Sequence, residues 1–448
     1  MSLTLLWTDL MVWILVAIGA VWGWSVSRSP EAVRKWVLIF RSKIAMASAI
    51  VLVFYLSFAL LDSLHFKITE DNSGKSGEIV SLLDMAFAHQ KDFSERTYSA
   101  PFATTEYAKS ITVNEKGVTI QRYLPLKHVD AHESTKKGVA ALLSGLLLSL
   151  LLILIHLLWR EKRGWRRHLY RVIRGETLLP WRTAYLTLSV LVILFTWLYV
   201  MSFSYHVLGT DKVGGDLFYA SMKSIRTGVL IGILTTLVTL PLAIVLGVSA
   251  GFFRGWVDDL IQYLYTTLSS IPGVLLIAAG VLSMQVMMDQ HPDWFASTIE
   301  RSDLRLLFLI LILGVTSWTG LCRLLRAETL RISRMDYVTA ARAFGVSRWR
   351  IMARHIVPNL THIILISVVL DFSGLVLAEA VLSYVGVGVD PTMYSWGNMI
   401  NQARLEMARE PMVWWSLFSA FAFMFVLVLA ANLFSDRVQH VLDPRNER

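Results

Sequence analysis

The chain has 448 residues, of which 55% are hydrophobic and 17% charged, and its formal net charge at pH 7 is +9. A soluble protein of this size carries far more charge, so the composition excludes a soluble globular protein and predicts an all-α polytopic membrane protein. Because the positive charges lie mostly in short loops, they indicate orientation and contact with anionic headgroups, and they do not indicate nucleic-acid binding.

Nine apolar runs reach the roughly 20 residues that an α-helix needs to cross a bilayer. The predicted spans are residues 5–24, 44–62, 138–159, 183–204, 227–250, 260–284, 305–322, 362–385 and 413–434. The first segment has no charged n-region and no small-residue cleavage site, which predicts that it is retained. Cys322 is the single cysteine, so no internal disulfide is possible.

Lysine and arginine are concentrated in the loops at 25–43, 160–182 and 323–361, which predicts that these loops are cytoplasmic. The loops at 285–304 and 386–412 are mixed or acidic. With nine spans, the N-terminus is predicted to be extracytoplasmic and the C-terminus cytoplasmic. If residues 5–24 only lie on the membrane, the N-terminus becomes cytoplasmic and the later assignments do not change.

Residues 63–137 form a polar insert with ten basic and ten acidic residues. Strand-like alternation at residues 110–123 predicts a small extracytoplasmic subdomain. The chain is therefore divided into two N-terminal spans (1–62), this insert (63–137), a third extra span with a basic cytoplasmic loop (138–182) and a six-span core (183–448).

Two patterns in the insert are similar to a nucleotide-binding site and a metal site, but neither site is predicted. Gly74-Lys75-Ser76 is similar to the end of a nucleotide-binding P-loop, but Thr69 occupies the first glycine position and no apolar strand precedes it. His128, Asp130, His132 and Glu133 include metal-ligand types, but without a further spaced partner a solvated loop is favoured. The sequence therefore predicts no metal site, no catalytic residue and no cofactor in this chain.

The basic stretch from Arg331 to Pro358 lies between two spans and is amphipathic. Asp336 is predicted to cap a short helix with Tyr337, Ala340, Ala341 and Phe344 on one side. Gly345 suits the left-handed position that ends this helix, and Ser347 is predicted to cap a second helix that runs to Pro358. The pattern alone leaves two interpretations open, a docking surface for a soluble partner and an interfacial helix on lipid.

Several separated segments resemble the permeases of ABC importers, in the branch that transports dipeptides, oligopeptides and nickel. The sequences YVTAARAFGVSRWRI and RHIVPN resemble the cytoplasmic EAA loop of this branch, with Ala340, Ala341, Gly345 and Pro358 at the spacing of that motif. Thr339 stands where the motif usually has glutamate. Four further segments are similar to the family and stand in the family's order along the chain: HVLGTDKVGGDLF, GFFRGWVDDL, LAEAVLSYVGVGVDPTMYSWGNMI and LFSDRVQHVLDPR.

The resemblance covers about residues 181–445 and implies the second permease subunit type, with the fold of a type I ABC importer transmembrane domain. It departs from the family at Gly215 and Ala220, where arginine is usual. It implies that the loop at about 323–361 couples the chain to ATPase subunits. The implied coupling residues are Tyr337, Thr339, Ala340, Ala341, Arg342, Phe344, Gly345, Arg348, Arg350 and Pro358.

The resemblance also implies partners and a location, the bacterial inner membrane. The expected partners are a second homologous permease, two ATPase subunits that bind ATP and Mg²⁺, and an extracytoplasmic substrate-binding protein. Dipeptides, oligopeptides, peptide-like antibiotics and nickel chelates all stay open as cargo. A membrane-embedded enzyme that uses the insert, and a channel, are the alternatives from other functional classes.

Residues inside the spans are candidates for the translocation path. Pro241 and Pro272 are predicted to interrupt helices, as path kinks or as ordinary kinks. Asp371 and Glu379 lie eight residues apart in one span, and an intramembrane carboxylate faces either a polar path or a buried lock. In the outer loop, Asp390, Pro391 and Trp396 are candidates for contact with a substrate-binding protein, with a simple capping loop as the alternative.

Overall fold

The computed structural model describes residues 2–68, 78–113, 119–129, 134–160, 165–295 and 297–442. Within these ranges, nine helices are long and apolar enough to cross a membrane, which confirms the predicted number and order of spans. The helices are α1 (Trp7–Arg28), α2 (Pro30–Phe40), α3 (Lys43–Asp62), α4 (Leu82–Ala86), α5 (Ala88–Asp92), α6 (Ser134–Arg160), α7 (Trp165–Arg174), α8 (Trp181–Met201), α9 (Leu217–Phe253), α10 (Trp256–Ser270), α11 (Gly273–Gln290), α12 (Thr298–Ile332), α13 (Asp336–Ala343), α14 (Arg348–Ile351), α15 (Val357–Tyr384), α16 (Trp396–Glu406) and α17 (Trp415–Leu442).

The described part of the chain also contains five short strands: β1 (Ser2–Thr4), β2 (His65–Ile68), β3 (Glu78–Ser81), β4 (Ser110–Val113) and β5 (Thr119–Arg122). The first three form an antiparallel sheet in the order β1-β2-β3, with Phe66 opposite both Leu3 and Val80. The other two pair as an antiparallel hairpin with Ser110 opposite Arg122. This hairpin confirms the strand-like alternation predicted at residues 110–123.

The structure divides into two compact units. Unit one comprises residues 1–5, 18–228 and 393–434, and unit two comprises residues 6–17, 229–392 and 435–448. In unit one, α6 and α8 lie side by side. Gly145 permits their close approach, because a Cβ at this position would lie 3.0 Å from the Ile193 Cα. Its largest fully buried side chains include Phe87, Trp396 and Trp415.

The core of unit two depends on two glycines four residues apart in α9. A Cβ on Gly247 would lie 2.7 Å from the carbonyl oxygen of Cys322, and a Cβ on Gly251 would lie 2.7 Å from that of Arg326. Small residues at this spacing allow two membrane helices to approach closely. The pair therefore fixes α9 against α12, and the single cysteine is buried at that contact.

The two prolines predicted to interrupt helices differ in the structure. Pro241 lies inside α9, as predicted. The predicted span 260–284 is instead two helices, α10 and α11, and Pro272 is the residue immediately before α11. The prediction that Pro272 lies inside a helix is therefore wrong. Its ring disfavours helical backbone at the preceding residue, and Ile271 is accordingly extended, with φ −90° and ψ 131°.

Candidate functional site

The basic loop after α12 folds as a helix, a turn and a second helix, and the turn has the predicted chemistry. Gly345 has φ +74°, in the left-handed region that favours glycine. The Val346 amide donates to the carbonyl of Ala341, and the Gly345 amide donates to that of Arg342, both at 3.1 Å. These two bonds are those of a Schellman motif, which satisfies the last carbonyls of α13. The prediction for Gly345 is confirmed.

The predicted side-chain caps are wrong. Met335 is the cap residue of α13 and makes no side-chain capping hydrogen bond, and Asp336 is the first helical residue. The Asp336 carboxylate, in the first turn, still interacts favourably with the positive end of the helix dipole. Ser347 does occupy the cap position of α14, but its hydroxyl makes no capping hydrogen bond either.

The second helix does not end at Pro358. It passes from α14 through a π-helical turn at Met352–Ile356 directly into α15, and Pro358 is the second residue of α15. Proline has no N–H and its ring clashes with the carbonyl four residues earlier, so a wider turn is one way for a helix to continue past it. The loop and the following span are therefore one continuous helical element.

One side of the loop is packed into unit two. Val338, Ala341 and Ile351 are buried in a cluster with Phe252 and Leu325, which lie on α9 and α12. The prediction that Ala341 shares an outward face with Phe344 is therefore wrong, because only 8% of Ala341 is exposed. Its small side chain is instead part of the base on which α13 rests.

The other side of the loop is uncovered in the described chain. Phe344 is 87% exposed, and Tyr337 and Trp349 are also exposed. We call this area the elbow surface and define it by its exposed residues Tyr337, Thr339, Ala340, Arg342, Phe344, Arg348, Trp349 and Arg350. An aromatic ring surrounded by arginines is complementary to an apolar pocket with an acidic rim.

An ion pair that the sequence did not predict joins α10 to α12. Arg326 of α12 donates two hydrogen bonds to the Asp258 carboxylate of α10, at 2.5 and 2.7 Å. The hydrogen bond from Arg326 holds the pKa of Asp258 below its usual value. Arg254, just before α10, also donates to the Ser333 hydroxyl at 3.1 Å. No spacing rule indicates these pairs, because the partners are far apart in the sequence.

The two intramembrane carboxylates of α15 have different surroundings. Glu379 is 2% exposed and accepts a hydrogen bond from Ser383 at 2.8 Å. The Ser383 hydroxyl in turn accepts from the Val389 amide at 3.3 Å. Glu379 therefore belongs to a local network at the end of α15, whereas Asp371 is only partly buried and lies two turns earlier.

The three candidates in the outer loop are not equivalent. Trp396 is 1% exposed and donates from its indole to the carbonyl of Ser221 at 3.2 Å, so the prediction that it contacts a binding protein is wrong. Asp390 is ion-paired with Arg305 at 3.2 Å. Pro391 is exposed and is available for a contact.

A buried polar cluster in unit one was not predicted. Lys223 of α9 forms an ion pair with Asp84 and lies 3.7 Å from Asp62, and the Tyr219 hydroxyl donates to Asp84 at 2.8 Å. Burial alone would raise the pKa of Asp84, but the charge and hydrogen bond of Lys223, with hydrogen bonds from Ser81 and Tyr219, hold it below its usual value.

A second cluster lies on the segment HVLGTDKVGGDLF. His206 is hydrogen-bonded to Asp216 at 2.8 Å and lies 3.6 Å from Glu95. Burial lowers the pKa of His206, but the hydrogen bond and charge of Asp216, together with Glu95, raise it above its usual value overall. Glu95 also accepts the amide of His128 at 2.8 Å. Glu95, which belongs to the insert, therefore contacts both His128 of the insert and His206 of the family-like segment.

The described residues contain no group of three or more histidine, cysteine, aspartate or glutamate side chains that could hold a metal. His128 stacks on Phe93 with ring centroids 4.7 Å apart. Its predicted companions Asp130, His132 and Glu133 lie outside the described residues, as do Thr69 and Gly74-Lys75-Ser76.

Comparison with known proteins gives the family. Residues 243–448 match the family of binding-protein-dependent transport system inner membrane components. The glutathione transport system permease protein GsiD of Pectobacterium atrosepticum is 31% identical over 242 residues, which cover 54% of this chain and 73% of that protein. The oligopeptide permease protein OppC of Mycobacterium bovis is 29% identical, over 53% of this chain and 76% of OppC. The dipeptide permease protein DppC of Bacillus subtilis is 28% identical, over 54% of this chain and 70% of DppC.

A solved chain from inward-facing conformations of the MetNI methionine ABC transporter aligns with a TM-score of 0.40 and 14% identity, over 50% of this chain and 97% of that chain. At that similarity the alignment has no weight, and the assignment depends on the sequence relatives. They define an integral membrane transport component. The chain belongs to the family of inner membrane components of binding-protein-dependent transport systems, and it is a multi-pass ABC importer permease rather than an enzyme.

Proposed function

We propose that this chain is one of two permease subunits of an ATP-driven peptide importer and forms half of its translocation pathway. The cargo assignment is supported by the relatives, whose names specify glutathione, oligopeptide and dipeptide transport. All three are peptides, so a path that accepts a peptide backbone is common to them. A nickel chelate is the alternative cargo.

The observation that carries the proposal is the elbow surface. A ring that is 87% exposed comes directly after α13, and the opposite side of α13 is buried among residues of α9 and α12. Force applied to Phe344 is therefore transmitted to two membrane helices through packed side chains. Such rigid-body coupling is what an importer needs to change between two packings.

The partners follow from this proposal. Two ATPase subunits bind ATP and Mg²⁺, and they contact the elbow surface. A second homologous permease completes the translocation path, and an extracytoplasmic binding protein delivers the cargo. The chain itself holds no cofactor. The basic loops, including the elbow, face the cytoplasm, which places the N-terminus outside and the C-terminus inside.

The test is the substitution Phe344→Ala in the assembled complex. Because the ring is exposed, the change leaves the fold of the permease intact, but it removes an aromatic anchor of the kind that contributes about 2 kcal/mol or more to an interface. We expect roughly 30-fold weaker retention of the ATPase subunits and loss of cargo-stimulated ATP hydrolysis.

The matched control is Trp294→Ala, which removes an exposed aromatic ring from the loop between α11 and α12. It should retain both the ATPase subunits and the stimulation. Normal stimulation in Phe344→Ala would contradict the coupling role. Cargo is assigned separately, by uptake of labelled dipeptides, longer peptides and nickel chelates in cells that express the complete transporter.

A further inference from the structure

Helix α7 (Trp165–Arg174), in the extension outside the family match, consists of apolar and basic residues. Its sequence WRRHLYRVIR contains four arginines and no acidic residue. At about 100° per residue, Leu169, Val172 and Ile173 fall on one side of the helix, and Arg171 and Arg174 fall on the other. This is the pattern of a helix that lies in a membrane–water interface.

Burial shows how the helix is placed within unit one. Val172 is 3% exposed, and α7 contacts α6 and α8. Ile173 is 62% exposed and Tyr170 is also exposed, next to the exposed Arg171 and Arg174. The side that faces away from the protein is therefore not uniformly polar. Ile173 and Tyr170 form an apolar edge beside the basic face of Arg171 and Arg174. At a lipid surface, such an apolar edge enters the region of the first acyl carbons, and such a basic face contacts the headgroups.

Neighbouring aromatic residues give the depth of α7 independently. The helix follows the end of α6 and precedes the start of α8, and those two ends are joined by an aromatic group. His156 is hydrogen-bonded to the Tyr185 hydroxyl at 2.8 Å and its ring lies 4.7 Å from that of Trp181. Tyrosine and tryptophan at span ends mark the headgroup level of a bilayer. Arg171 and Arg174 are therefore at the depth of lipid phosphates.

Intramolecular partners do not compete strongly for Arg174. Its guanidinium lies 3.9 Å from Glu176 and 4.3 Å above the Tyr170 ring. More than half of each side chain of the Arg174–Glu176 pair is exposed, and such pairs contribute little to stability. A phosphodiester can accept two parallel hydrogen bonds from a guanidinium, which is a stronger and more directional contact.

We propose that α7 is a binding site for anionic phospholipids. Arg171 and Arg174 bind the headgroup phosphates, and Ile173 and Tyr170 lie among the first acyl carbons. The site belongs to the extension and does not depend on the proposed transport function.

The experiment uses the full chain in nanodiscs. Because Cys322 is the single cysteine, a Cys322→Ala background with Ile173→Cys carries one environment-sensitive fluorophore on α7. Brominated phosphatidylglycerol and brominated phosphatidylcholine, at equal mole fractions, then report which lipid lies beside the label. We expect preferential quenching by phosphatidylglycerol, which weakens at high salt. We expect the preference to fall by up to about 30-fold in the double variant Arg171→Gln/Arg174→Gln.

The matched control, Lys109→Gln/Arg122→Gln, removes the same charge from exposed positions beside and on the β4–β5 hairpin and should keep the preference. Three results would overturn the proposal: equal quenching by both lipids, no quenching by either, or a preference that survives the double variant. The measurement needs neither ATPase subunits nor cargo, so its failure would leave the proposed transport function untouched.

Discussion

At the scale of single residues, removal of the Lys223 side chain should destabilise the fold strongly. It pairs with Asp84 and lies close to Asp62, and both carboxylates are buried. Removing one partner of a buried ion pair costs about 3–5 kcal/mol, because the other charge stays buried without compensation. We expect Lys223→Gln to lower the thermal unfolding midpoint in detergent at pH 7.

The same substitution should reverse the pH dependence of this site. In the wild-type chain the pKa of Asp84 lies below its usual value, so its contribution to stability is present above the unfolded-state pKa and is lost as pH falls through the folded-state pKa. Without Lys223, burial, the largest influence on the pKa of Asp84, is opposed only by the hydrogen bonds from Ser81 and Tyr219. We therefore expect the pKa of Asp84 to lie above its usual value in the variant, so that protonation removes the uncompensated charge. Lys223→Gln should therefore become more stable as pH falls from 7 towards 5. The exposed Lys212→Gln serves as the charge-matched control, and parallel profiles for both variants would contradict this account.

Close packing at a glycine gives a second residue-scale prediction. A Cβ on Gly228 would lie 2.7 Å from the buried Trp396 ring, whereas a Cβ on Gly320 would meet nothing within 4 Å. Overpacking a filled site costs about 1–3 kcal/mol. Gly228→Ala should lower the midpoint of thermal unfolding by several degrees, and Gly320→Ala, also within a membrane helix, should not. Equal midpoints would mean that the Trp396 contact relaxes freely.

Prediction from sequence succeeded where a single local rule determines the structure. The nine spans follow from apolar length, and the left-handed Gly345 follows from helix termination chemistry. It failed where the outcome depends on tertiary contacts. Nothing in the local pattern distinguishes the buried Ala341 from the exposed Ala340, or shows that Trp396 packs on Gly228. The Lys223 and His206 clusters were missed for the same reason, since each joins the insert to residues far away in the sequence, Lys223 in α9 and His206 between α8 and α9.

At the scale of elements, the turn between α13 and α14 sets the direction in which Phe344 points. Gly345 requires φ +74°, and a side chain there would have free space, so any effect of substitution comes from the backbone. Asparagine tolerates this conformation, whereas a β-branched residue in the left-handed region is strained by roughly 1–2 kcal/mol or more. Gly345→Val should therefore reduce coupled ATP hydrolysis in the assembled transporter, and Gly345→Asn should largely retain it.

This pair of variants separates conformation from bulk. If both lose stimulation equally, the partner excludes any side chain at this position and the turn geometry is not the cause. If both retain it, the elbow surface does not depend on the Schellman motif. The fold of the chain purified in detergent, checked by size-exclusion elution, should be unchanged in each case, because Gly345 is exposed.

At the scale of the whole molecule, most of the extension belongs to unit one, with residues 6–17 as the exception. The Tyr55 hydroxyl donates to the carbonyl of Phe423 in α17 at 2.9 Å, and the Tyr107 hydroxyl donates to that of Met412 at 3.1 Å. Asp84 of the insert pairs with Lys223 of α9. These bonds join residues before 135 to the family-like part of the chain, which predicts that the extension supports the fold of the permease.

Deletion of residues 1–135 should consequently prevent accumulation of a folded permease, because it leaves Lys223 without its carboxylates and exposes the Trp396 side of unit one. The matched control replaces residues 111–121 by a short Gly/Ser linker. It removes most of the β4–β5 hairpin and should retain wild-type stability, because the side chains described within 111–121 are exposed. Yield and thermal midpoint of the purified chain measure both. A truncated chain that is folded and transports normally would show that the extension is dispensable, and the polar contacts of Asp84 and Tyr55 would then be incidental to folding.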